Sequence, residues 1–535
     1  MAKINFTELI NTDFNLLKNN LESYLNVTHL QTYFPILLNY LEEETDLHNN
    51  VLKNKYFINT INTIKNDIIE DYESNKSNIE INKKDPYIKT FVEAQLFNQH
   101  TNTKVTRNVF IKTTPIIDII PYILDEYDVT HSVLLPNMYQ NNLNKKINNY
   151  QNTAYIDAFF SYLSSKLTES GKCPCFPLFY GTFTAISSNY KFDITEDYAD
   201  LKYHNKYQTN INKLFTILEC PIDMSEKSLS NTSSIQLQEL NEIIELGDNI
   251  TDISNILDDN LFETHLNNNI KSPNICSDTS QLDGIVSIDE NYIFENISDD
   301  YDTFKYCCLK NIPIQLICME ALEETLDDLI ENDTYTIDNI EWLAILFQIC
   351  FGLAVAQKHY SFVHNDLHSS NIMFKKTESK YLYFNYENTV FKIPTFNKIV
   401  KIIDFGRATF NHNDTIFFSD VFDINGDAEG QYCYPENNSF KNCNIKPNYS
   451  FDLARLSSTI IEHFTNGGEI FKLLKTWITD KHGYCLINDE DDFYLYKNIA
   501  KNVNNAVPKK QLKKKIFKKF VNKNKIPPNT YIYNY

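Results

Sequence analysis

The amino-acid sequence predicts an α+β fold, in which strand-like runs and helical runs occupy different parts of the chain. Residues 109–112, 175–183 and 315–322 are apolar runs rich in aromatic or β-branched side chains, which favour strands. Residues 338–359 instead place apolar side chains at the 3.6-residue period of a helix, with Asp338 as its N-cap. Together these runs predict an α+β architecture.

The remaining elements follow from their hydrophobic spacing. Residues 1–84 predict a helical N-terminal extension, and residues 152–167 predict a further helix. The apolar positions on which these helices depend are Phe14, Leu17, Leu21, Leu25, Ile36, Leu37, Tyr40 and Leu41 in the first stretch, and Tyr155, Ile156, Phe159, Phe160 and Leu163 in the second. Alternation at residues 381–384 and 390–393 predicts a long β-hairpin.

Charge is unevenly distributed along this chain of net charge −21. Residues 191–300 hold 22 Asp and Glu against 6 Lys, so we interpret about 187–305 as an acidic insertion, either a solvated loop or a segment that docks a partner. Residues 501–535 hold ten Lys and no acid, which defines a basic tail. This tail is either a solvated face, with Phe517 and Phe520 turned inward, or a site for an anionic partner such as nucleic acid, lipid or the acidic insertion.

Bulk composition disfavours secreted and membrane-spanning classes. The 11 cysteines are scattered without C-x-x-C spacing, which favours free thiols in a reducing compartment over a disulfide framework. The first residues lack the apolar core of a signal peptide, and no run of about 18 apolar residues predicts a membrane span. We therefore expect a cytoplasmic protein.

Two short motifs place three side chains at the spacing that phosphoryl transfer from ATP requires. In V-H-N-D-L-H-S-S-N-I, residues 363–372, Asp366 would orient an acceptor hydroxyl and take its proton. Asn371, five residues on, offers a neutral carboxamide oxygen to Mg²⁺. In I-I-D-F-G, residues 402–406, Asp404 offers a carboxylate that bridges Mg²⁺ to the nucleotide phosphates. The motifs therefore predict ATP and Mg²⁺ at the site.

These motifs resemble the H-R-D-x-x-x-x-N catalytic loop and the D-F-G motif of eukaryotic-type protein kinases. The segments H-N-D-L-H, I-P-T-F, K-I-I-D-F-G-R-A and G-D-A-x-G-Q-Y are similar to those of the serine/threonine kinases of giant DNA viruses of the mimivirus type. The resemblance covers roughly residues 85–500. It implies a two-lobed protein kinase-like fold, with a small β-rich N-lobe at about 85–320 and a helical C-lobe at about 321–500. For a viral protein, the expected location is the host-cell cytoplasm or the virion.

The resemblance also assigns residues on the nucleotide side of the site. Lys112, in V-F-I-K, would hold the phosphates, and Asp157 would be its partner in place of the usual Glu. At the end of the strand-like run that precedes the long helix, Met319 would be the gatekeeper. Glu320 and Leu322 would offer backbone groups to adenine.

Other landmarks and departures follow from the same resemblance. Pro435 and Glu436 resemble the Pro-Glu pair at the end of a kinase activation segment, and Asp452 resembles the Asp that holds the catalytic-loop backbone. Asn365 replaces the Arg that usually pairs with a phosphorylated activation loop. His368 stands where protein kinases carry a Lys that contacts the transferring phosphate.

The glycine-rich loop of protein kinases is missing. Such loops cover the phosphates because only glycine lets the backbone approach closely, yet the first glycine of this chain is Gly171, well after Lys112. We expect either a different loop, around residues 98–104, to cover the phosphates, or ATP to bind weakly.

The residues and the resemblance together predict transfer of the γ-phosphoryl group of Mg-ATP to serine or threonine of a protein substrate. Two alternatives stay open. D-L-H also occurs in small-molecule phosphotransferases of the aminoglycoside and choline kinase type. The missing glycine-rich loop instead favours a pseudokinase, a binding scaffold that keeps the fold, although such a scaffold has no need of Lys112, Asp366, Asn371 and Asp404 together.

Overall fold

A computed structural model of the chain gives the fold. The described residues are 6–37, 45–46, 51–52, 54–65, 90–127, 135–137, 145–221, 303–423, 426–432, 448–488 and 492–535. One compact unit contains the described residues up to Glu219 and from Lys305 onward. Pro435 and Glu436 lie outside the described residues, and so does most of the predicted acidic insertion.

The first part of the chain is rich in strands. Its strands are β1 (Val27–Gln31), β2 (Thr45–Asp46), β3 (Val51–Leu52), β4 (Tyr56–Lys65), β5 (Thr90–Asn98), β6 (Thr103–Pro115), β7 (Phe179–Ser187), β8 (Tyr190–Asp193), β9 (Phe215–Pro221), β10 (Thr303–Leu309) and β11 (Ile312–Glu320). Its helices are α1 (Phe6–Tyr24), α2 (Ile119–Ile123), α3 (Thr153–Glu169), α4 (Tyr198–Leu201) and α5 (Asn205–Asn210).

Six of these strands form one antiparallel sheet in the order β1-β7-β11-β6-β5-β4. Its central pair is β11 and β6, in which Ile317 lies opposite Lys112 and Met319 lies opposite Phe110. Directly opposed residues share a face of the sheet, as do residues two apart on one strand. Lys112 and Met319 are therefore on the same face.

The predicted helical extension over residues 1–84 is wrong for much of its length. The prediction fits α1, in which Leu17 and Leu21 are buried, but β1 and β4 are strands of the main sheet. β4 buries Ile58 and pairs with β5. A strand at this place is stabilised by partners distant in sequence, which local hydrophobic spacing does not reveal. The N-terminal region therefore completes the sheet.

The acidic insertion predicted at about 187–305 begins with folded structure. Residues up to 221 form β8, α4, α5 and β9, and they bury Leu201, Tyr207 and Phe215. β8 pairs with β10 in a second sheet of order β8-β10-β9. The prediction of a solvated loop is therefore wrong up to residue 221, and residues 222–302 lie outside the described part of the chain.

The second part of the chain holds most of the larger helices. They are α6 (Leu326–Ile330), α7 (Asn339–Tyr360), α8 (Phe451–Ile460), α9 (Glu469–Trp477), α10 (Asp492–Asn502) and α11 (Pro508–Gln511). The strands are β12 (Ile372–Lys376), β13 (Tyr381–Tyr386), β14 (Thr389–Pro394), β15 (Lys398–Ile402), β16 (Phe410–His412), β17 (Thr415–Phe417) and β18 (Ile532–Asn534). Short 3₁₀ helices form at Ser369–Asn371, Asp420–Phe422, Ile461–His463, Leu486–Asn488 and Lys515–Phe520.

The central helix of this part is α7, whose start agrees with the predicted N-cap. The Asp338 carboxylate accepts hydrogen bonds from the N–H groups of Ile340 at 2.6 Å and Glu341 at 2.9 Å. Among the described helices, α7 alone is long and apolar enough to cross a membrane. Inside the fold, 89% of its most apolar window is buried, as in the core helix of a globular protein.

The predicted hairpin forms as β13 and β14. Its two turn residues, Glu387 and Asn388, have φ of 46° and 62°, the paired positive values of a type I′ turn. β18, near the end of the sequence, adds to the hairpin as a third strand, parallel to β13.

The basic tail packs its aromatic side chains inward. Phe517 and Phe520 are buried, and both rings lie near that of Phe347 in α7, at 5.5 Å and 6.4 Å between centroids. All ten lysines of the tail are exposed: Lys501, Lys509, Lys510, Lys513, Lys514, Lys515, Lys518, Lys519, Lys523 and Lys525. An anionic partner for this face stays a prediction.

Candidate active site

The site centres on Lys112, which lies between two carboxylates. Its Nζ is 2.7 Å from Asp157 Oδ2 and 2.9 Å from Asp404 Oδ1. β6 carries Lys112, α3 carries Asp157, and Asp404 follows β15. The Asp157 side chain is buried, whereas that of Asp404 is 47% exposed. Three elements distant in sequence therefore bring together residues predicted from separate motifs.

The short side chain of Asp157 does more than replace a Glu. Its Oδ2 binds Lys112, and its Oδ1 accepts a hydrogen bond from the backbone N–H of Phe405 at 3.0 Å. One carboxylate thus ties helix α3 both to the lysine strand and to the residue that follows Asp404. The pairing of Lys112 with Asp157 is present in the structure.

Lys112, Asp157 and Asp404 shift one another's pKa values. Burial would lower the pKa of Lys112, but the carboxylates of Asp157 and Asp404 outweigh it and raise that pKa. For Asp404, partial removal from solvent would raise the pKa, but the Lys112 ammonium lowers it to about 2. Burial raises the pKa of Asp157 against the pull of Lys112. At neutral pH the half-exposed carboxylate of Asp404 is therefore ionised.

The backbone of the predicted catalytic loop is held by Asp452 of α8. The N–H of His364 donates to both Asp452 oxygens, at 3.0 Å and 3.1 Å, and the N–H of Asn365 donates to Oδ1 at 3.1 Å. His364 Nε2 in turn donates to the carbonyl of Ile403 at 2.8 Å. Burial raises the pKa of Asp452 to about 6. These bonds fix the loop relative to the strand that leads to Asp404.

Asp366 lies on this loop with its side chain 24% exposed. Its Oδ1 accepts a hydrogen bond of 2.5 Å from the hydroxyl of Tyr496 in α10. Its Oδ2 is 3.9 Å from Arg407 Nε, longer than a hydrogen bond. The predicted base is therefore partly exposed, with one oxygen in a hydrogen bond and the other 3.9 Å from Arg407 Nε.

Asn371 and Asp404 fit the requirements of Mg²⁺. The Asn371 Nδ2 donates to the Asp366 carbonyl at 2.9 Å and contacts His368 Nε2 at 3.0 Å, which directs the carboxamide oxygen away from both. The Ile403 N–H donates to the Asn371 carbonyl at 3.1 Å, which brings the loop next to Asp404. One carboxylate and one amide oxygen suit Mg²⁺, which keeps waters and takes phosphate oxygens. Among the described residues, no cluster of three His, Cys, Asp or Glu side chains forms a separate metal site.

The backbone of Asp404 is strained. Its φ is +63°, in the left-handed region that non-glycine residues rarely adopt. Such strain persists only where the surroundings impose it, and it concentrates at functional sites. The contacts of Lys112 and of the Phe405 N–H hold Asp404 in this conformation.

The proposed adenine side of the cleft is formed by the end of β11. Met319 and Leu322 are both 8% exposed. The Glu320 N–H donates to the Leu178 carbonyl at 2.8 Å, and its carboxylate pairs with buried Lys401 at 3.0 Å. The structure therefore places Met319 on the Lys112 face and anchors Glu320 through its side chain and N–H. The adenine contacts of Glu320 and Leu322 stay predictions.

The loop at residues 98–104 cannot cover phosphates held by Lys112. It forms the tight turn between β5 and β6, and Lys104 is eight residues before Lys112 on one extended strand, about 26 Å away at 3.3 Å per residue. The strand register instead brings the other end of β5, at Thr90, opposite Ile111. The connection that enters there, residues 66–89, lies outside the described residues.

The segment after Gly406 is tied to the N-terminus of α3 by Asp420. Its Oδ1 accepts from the Thr153 N–H at 3.0 Å, and its Oδ2 is 3.0 Å from Lys146 Nζ, which also contacts Asp118 at 2.7 Å. The Thr153 hydroxyl donates to the Gly406 carbonyl at 2.8 Å. A carboxylate at a helix N-terminus satisfies a free N–H and favours the helix dipole. Asp420 thereby holds the helix that carries Asp157.

Asn365 also contacts this segment. Its Nδ2 donates to the Arg407 carbonyl and to Thr409 Oγ1, both at 2.9 Å, and its Oδ1 accepts from the Tyr432 hydroxyl. Asn365 adopts a φ of +66°, which Asn tolerates better than most residues. Neutral hydrogen bonds therefore join the catalytic loop to both ends of the described segment.

Sequence reasoning did not single out Tyr496, Asp420 or Lys146. Their contacts to the site span 130 residues for Tyr496 with Asp366 and 267 residues for Asp420 with Thr153. Neither Tyr496 nor Asp420 belongs to a motif with a recognisable spacing. The pattern that predicted Asp366, Asn371 and Asp404 was local, and these supporting contacts are not.

In sequence, the chain is similar to serine/threonine-protein kinases over short stretches, and no protein-family model matches it. A 78-residue stretch is 36% identical to haspin of Bos taurus and 37% identical to the haspin homolog of Arabidopsis thaliana. It covers 15% of this chain and 10% and 13% of those proteins. A 111-residue stretch is 32% identical to a Dictyostelium discoideum protein described as a probable serine/threonine-protein kinase, and covers 19% of this chain and 8% of that protein.

The chain thus spans only about a tenth of the length of the curated relatives it matches. Among solved structures, a crystal structure of a kinase domain is 16% identical, with a TM-score of 0.19, and the match covers 38% of this chain and 73% of that one.

Proposed function

We propose that this chain is a protein kinase that transfers the γ-phosphoryl group of Mg-ATP to serine or threonine of a protein substrate, on a two-lobed kinase-like fold. The observation that carries the proposal is the convergence on Lys112 of Asp157 and Asp404, next to a catalytic loop that presents Asp366. The similarity to serine/threonine-protein kinases supports the choice of acceptor hydroxyl. The viral resemblance and the cytoplasmic location stay predictions from the sequence.

Each residue has a defined task in this reaction. Lys112 binds the nucleotide phosphates, and Asp157 keeps it extended toward them. Asn371 and Asp404 would hold Mg²⁺, which neutralises charge on the transferring group when bound. Asp366 orients the acceptor hydroxyl and takes up its proton as the oxygen attacks. Positioning and electrostatics account for most of the catalysis in phosphoryl transfer, and this set supplies both.

The test is phosphate transfer by the purified chain. Wild type, Asp366→Ala and Asp404→Ala are incubated with Mg-ATP and generic protein substrates, beside Asp414→Asn, which alters an exposed carboxylate in the β16–β17 turn. We expect Asp366→Ala to lose roughly 10²- to 10⁴-fold in rate, the usual contribution of a general base, and Asp414→Asn to match wild type. Asp404→Ala should also lose the rise in melting temperature on adding Mg-ATP.

Two results would contradict the proposal in different ways. Transfer no faster than in the Asp366→Ala and Asp404→Ala variants, with a retained Mg-ATP-dependent rise in melting temperature, would indicate a nucleotide-binding scaffold. Transfer to aminoglycosides or choline but not to proteins would indicate a small-molecule phosphotransferase.

A further inference from the structure

The predicted base, Asp366, makes a hydrogen bond that its motif does not explain. The Tyr496 hydroxyl donates to Asp366 Oδ1 at 2.5 Å, from a helix 130 residues further along the chain. Burial raises the pKa of Tyr496 to about 12, so the phenol stays protonated and acts as the donor. The bond therefore occupies one carboxylate oxygen of the base throughout the neutral pH range.

The tyrosine is held firmly on its other sides. Tyr496 is only 8% exposed, and the centroid of its ring lies 5.9 Å from that of Phe451, the neighbour of Asp452 in α8. The Arg455 guanidinium lies over the ring at 4.8 Å, a cation–π contact. These contacts come from α8, the same helix whose Asp452 binds the catalytic-loop backbone.

Helix α10, which carries Tyr496, is itself anchored. The Asn448 amide nitrogen lies 2.9–3.0 Å from the carbonyl oxygens of Ile499, Ala500 and Val503, so its two N–H groups are shared among three acceptors at the end of the helix. Tyr496 is therefore part of the packed structure, without the freedom of a side chain on a loop.

Resting on the proposed kinase function, we propose that Tyr496 is a positioning residue for Asp366. By binding Oδ1, the phenol fixes the rotamer of the carboxylate and directs Oδ2 toward the acceptor hydroxyl. The loop backbone is thus set by Asp452 and the carboxylate by Tyr496, and both depend on α8.

The step it assists is a balanced transfer. The acceptor oxygen forms a bond to the γ-phosphorus as the bond from that phosphorus to the β,γ-bridging oxygen breaks, and ADP leaves. The proton of the acceptor hydroxyl passes to Asp366 Oδ2, which has no hydrogen bond of its own among the described contacts and lies 3.9 Å from Arg407 Nε. A fixed carboxylate needs no reorientation when this proton moves.

The opposite interpretation is that Tyr496 blocks the base by occupying the place of a substrate hydroxyl. Burial of Tyr496, its contact with Arg455 and the anchored helix argue against it, because a plug must leave before each turnover. The two interpretations predict opposite changes when the hydroxyl is removed, so one variant separates them.

The test compares Tyr496→Phe with Tyr484→Phe, which removes a hydroxyl from a side chain that is 71% exposed. Phe keeps the ring against Phe451 and Arg455, so the melting temperature should stay within about 2 °C. We expect kcat to fall by about 10-fold, with the KM values for ATP and protein substrate within about 2-fold of wild type. In an Asp366→Asn background, Tyr496→Phe should have no further effect, because the two residues act as one unit. Tyr484→Phe should match wild type.

A kcat unchanged in Tyr496→Phe, or a loss that persists undiminished in the Asp366→Asn background, would overturn the positioning role while leaving the kinase function intact. A rise in kcat would overturn the positioning role and show instead that the Tyr496 hydroxyl blocks Asp366. Absence of transfer by wild type under the same conditions would overturn the proposed function and this inference with it.

Discussion

At the scale of single residues, Asp157 connects two parts of the site through one carboxylate. Its carboxylate contacts both Lys112 and the Phe405 N–H, and its side chain is 3% exposed. A longer side chain would have to fold back within a packed interior, where added methylenes typically cost about 1–3 kcal/mol. The Asp at this position is therefore suited to a helix that lies close to the lysine strand.

Asp157→Asn tests this contact. The neutral amide can still accept from Phe405 but no longer balances Lys112, which would then pair with Asp404 alone and compete with Mg²⁺ for it. We expect the KM for ATP to rise and kcat/KM to fall roughly 10- to 100-fold, on the order of 1.4–2.7 kcal/mol. Asp200→Asn, at an exposed position in α4, serves as the control in the same steady-state assay. Equal kcat/KM values for the two variants would contradict the role of Asp157.

Asp452 makes stability depend on pH. Its folded-state pKa of about 6 lies above the value of about 3.9 for an unfolded Asp, so the folded chain binds the proton more tightly. This contribution to stability is fully present below about pH 3.9 and is lost as the pH rises through about 6. Relative to Asp452→Asn, wild type should lose about 1 kcal/mol of unfolding free energy between pH 5 and pH 7. Urea unfolding of both proteins measures this, and parallel pH profiles would contradict it.

At the scale of elements, the position of α3 depends on the segment that follows Gly406. The Asp420 carboxylate accepts a hydrogen bond from the first N–H of α3 and forms an ion pair with Lys146. The Thr153 hydroxyl, at the start of α3, donates to the Gly406 carbonyl. The helix that presents Asp157 and the segment that follows Asp404 are therefore ordered together.

Asp420→Ala should loosen the start of α3. Removing a capping carboxylate typically costs about 0.5–2 kcal/mol, and here it also removes the contact with Lys146. We expect the Thr153 amide to exchange its hydrogen faster and kcat to fall about 10-fold, since Asp157 is displaced only part of the time. Hydrogen exchange read by mass spectrometry measures the first effect. Asp414→Asn, in the same segment but exposed, should leave both unchanged, and slow Thr153 exchange in Asp420→Ala would contradict the capping role.

At the scale of the whole molecule, the basic tail contributes to the core of the helical part. Phe517 and Phe520 pack near Phe347 of α7, and Trp477 Nε1 donates to Gln511 Oε1 at 2.8 Å. The tail also reaches the first part of the chain, where the Tyr531 hydroxyl donates to the carbonyl of Gly171 at 2.9 Å, just after α3. Its lysines and its aromatic residues therefore have separate roles.

Phe517→Ala and Lys518→Ser separate these roles at adjacent positions. Truncation of a buried Phe typically costs about 3–5 kcal/mol, whereas a surface substitution changes stability by about 0.5 kcal/mol or less. We expect Phe517→Ala to lower the urea midpoint strongly and Lys518→Ser to leave it unchanged. Similar midpoints for the two variants would show that the tail does not contribute to the core.

The sequence predicted those features whose signals are local. Helix α7 was predicted from the 3.6-residue period of its apolar side chains and from the Asp338 cap, and the hairpin from alternation of apolar and polar residues. Asp366, Asn371 and Asp404 were predicted from their spacing within two short motifs. Strands β1 and β4 were missed because their stability comes from partners far away in the chain. Tyr496 and Asp420 were missed for the same reason, since no local pattern distinguishes a tyrosine or an aspartate that acts across the fold.

The double pairing of Lys112 has a consequence for its reactivity. Two carboxylates raise its pKa and keep its nitrogen as an ammonium ion, which has no lone pair to attack an electrophile. Acylating reagents should therefore modify exposed lysines such as Lys514 and Lys515 long before Lys112. A covalent ligand directed at Lys112 would first have to separate its ammonium group from Asp157 and Asp404. Labelling of Lys112 would therefore measure how often these two ion pairs break in the absence of nucleotide.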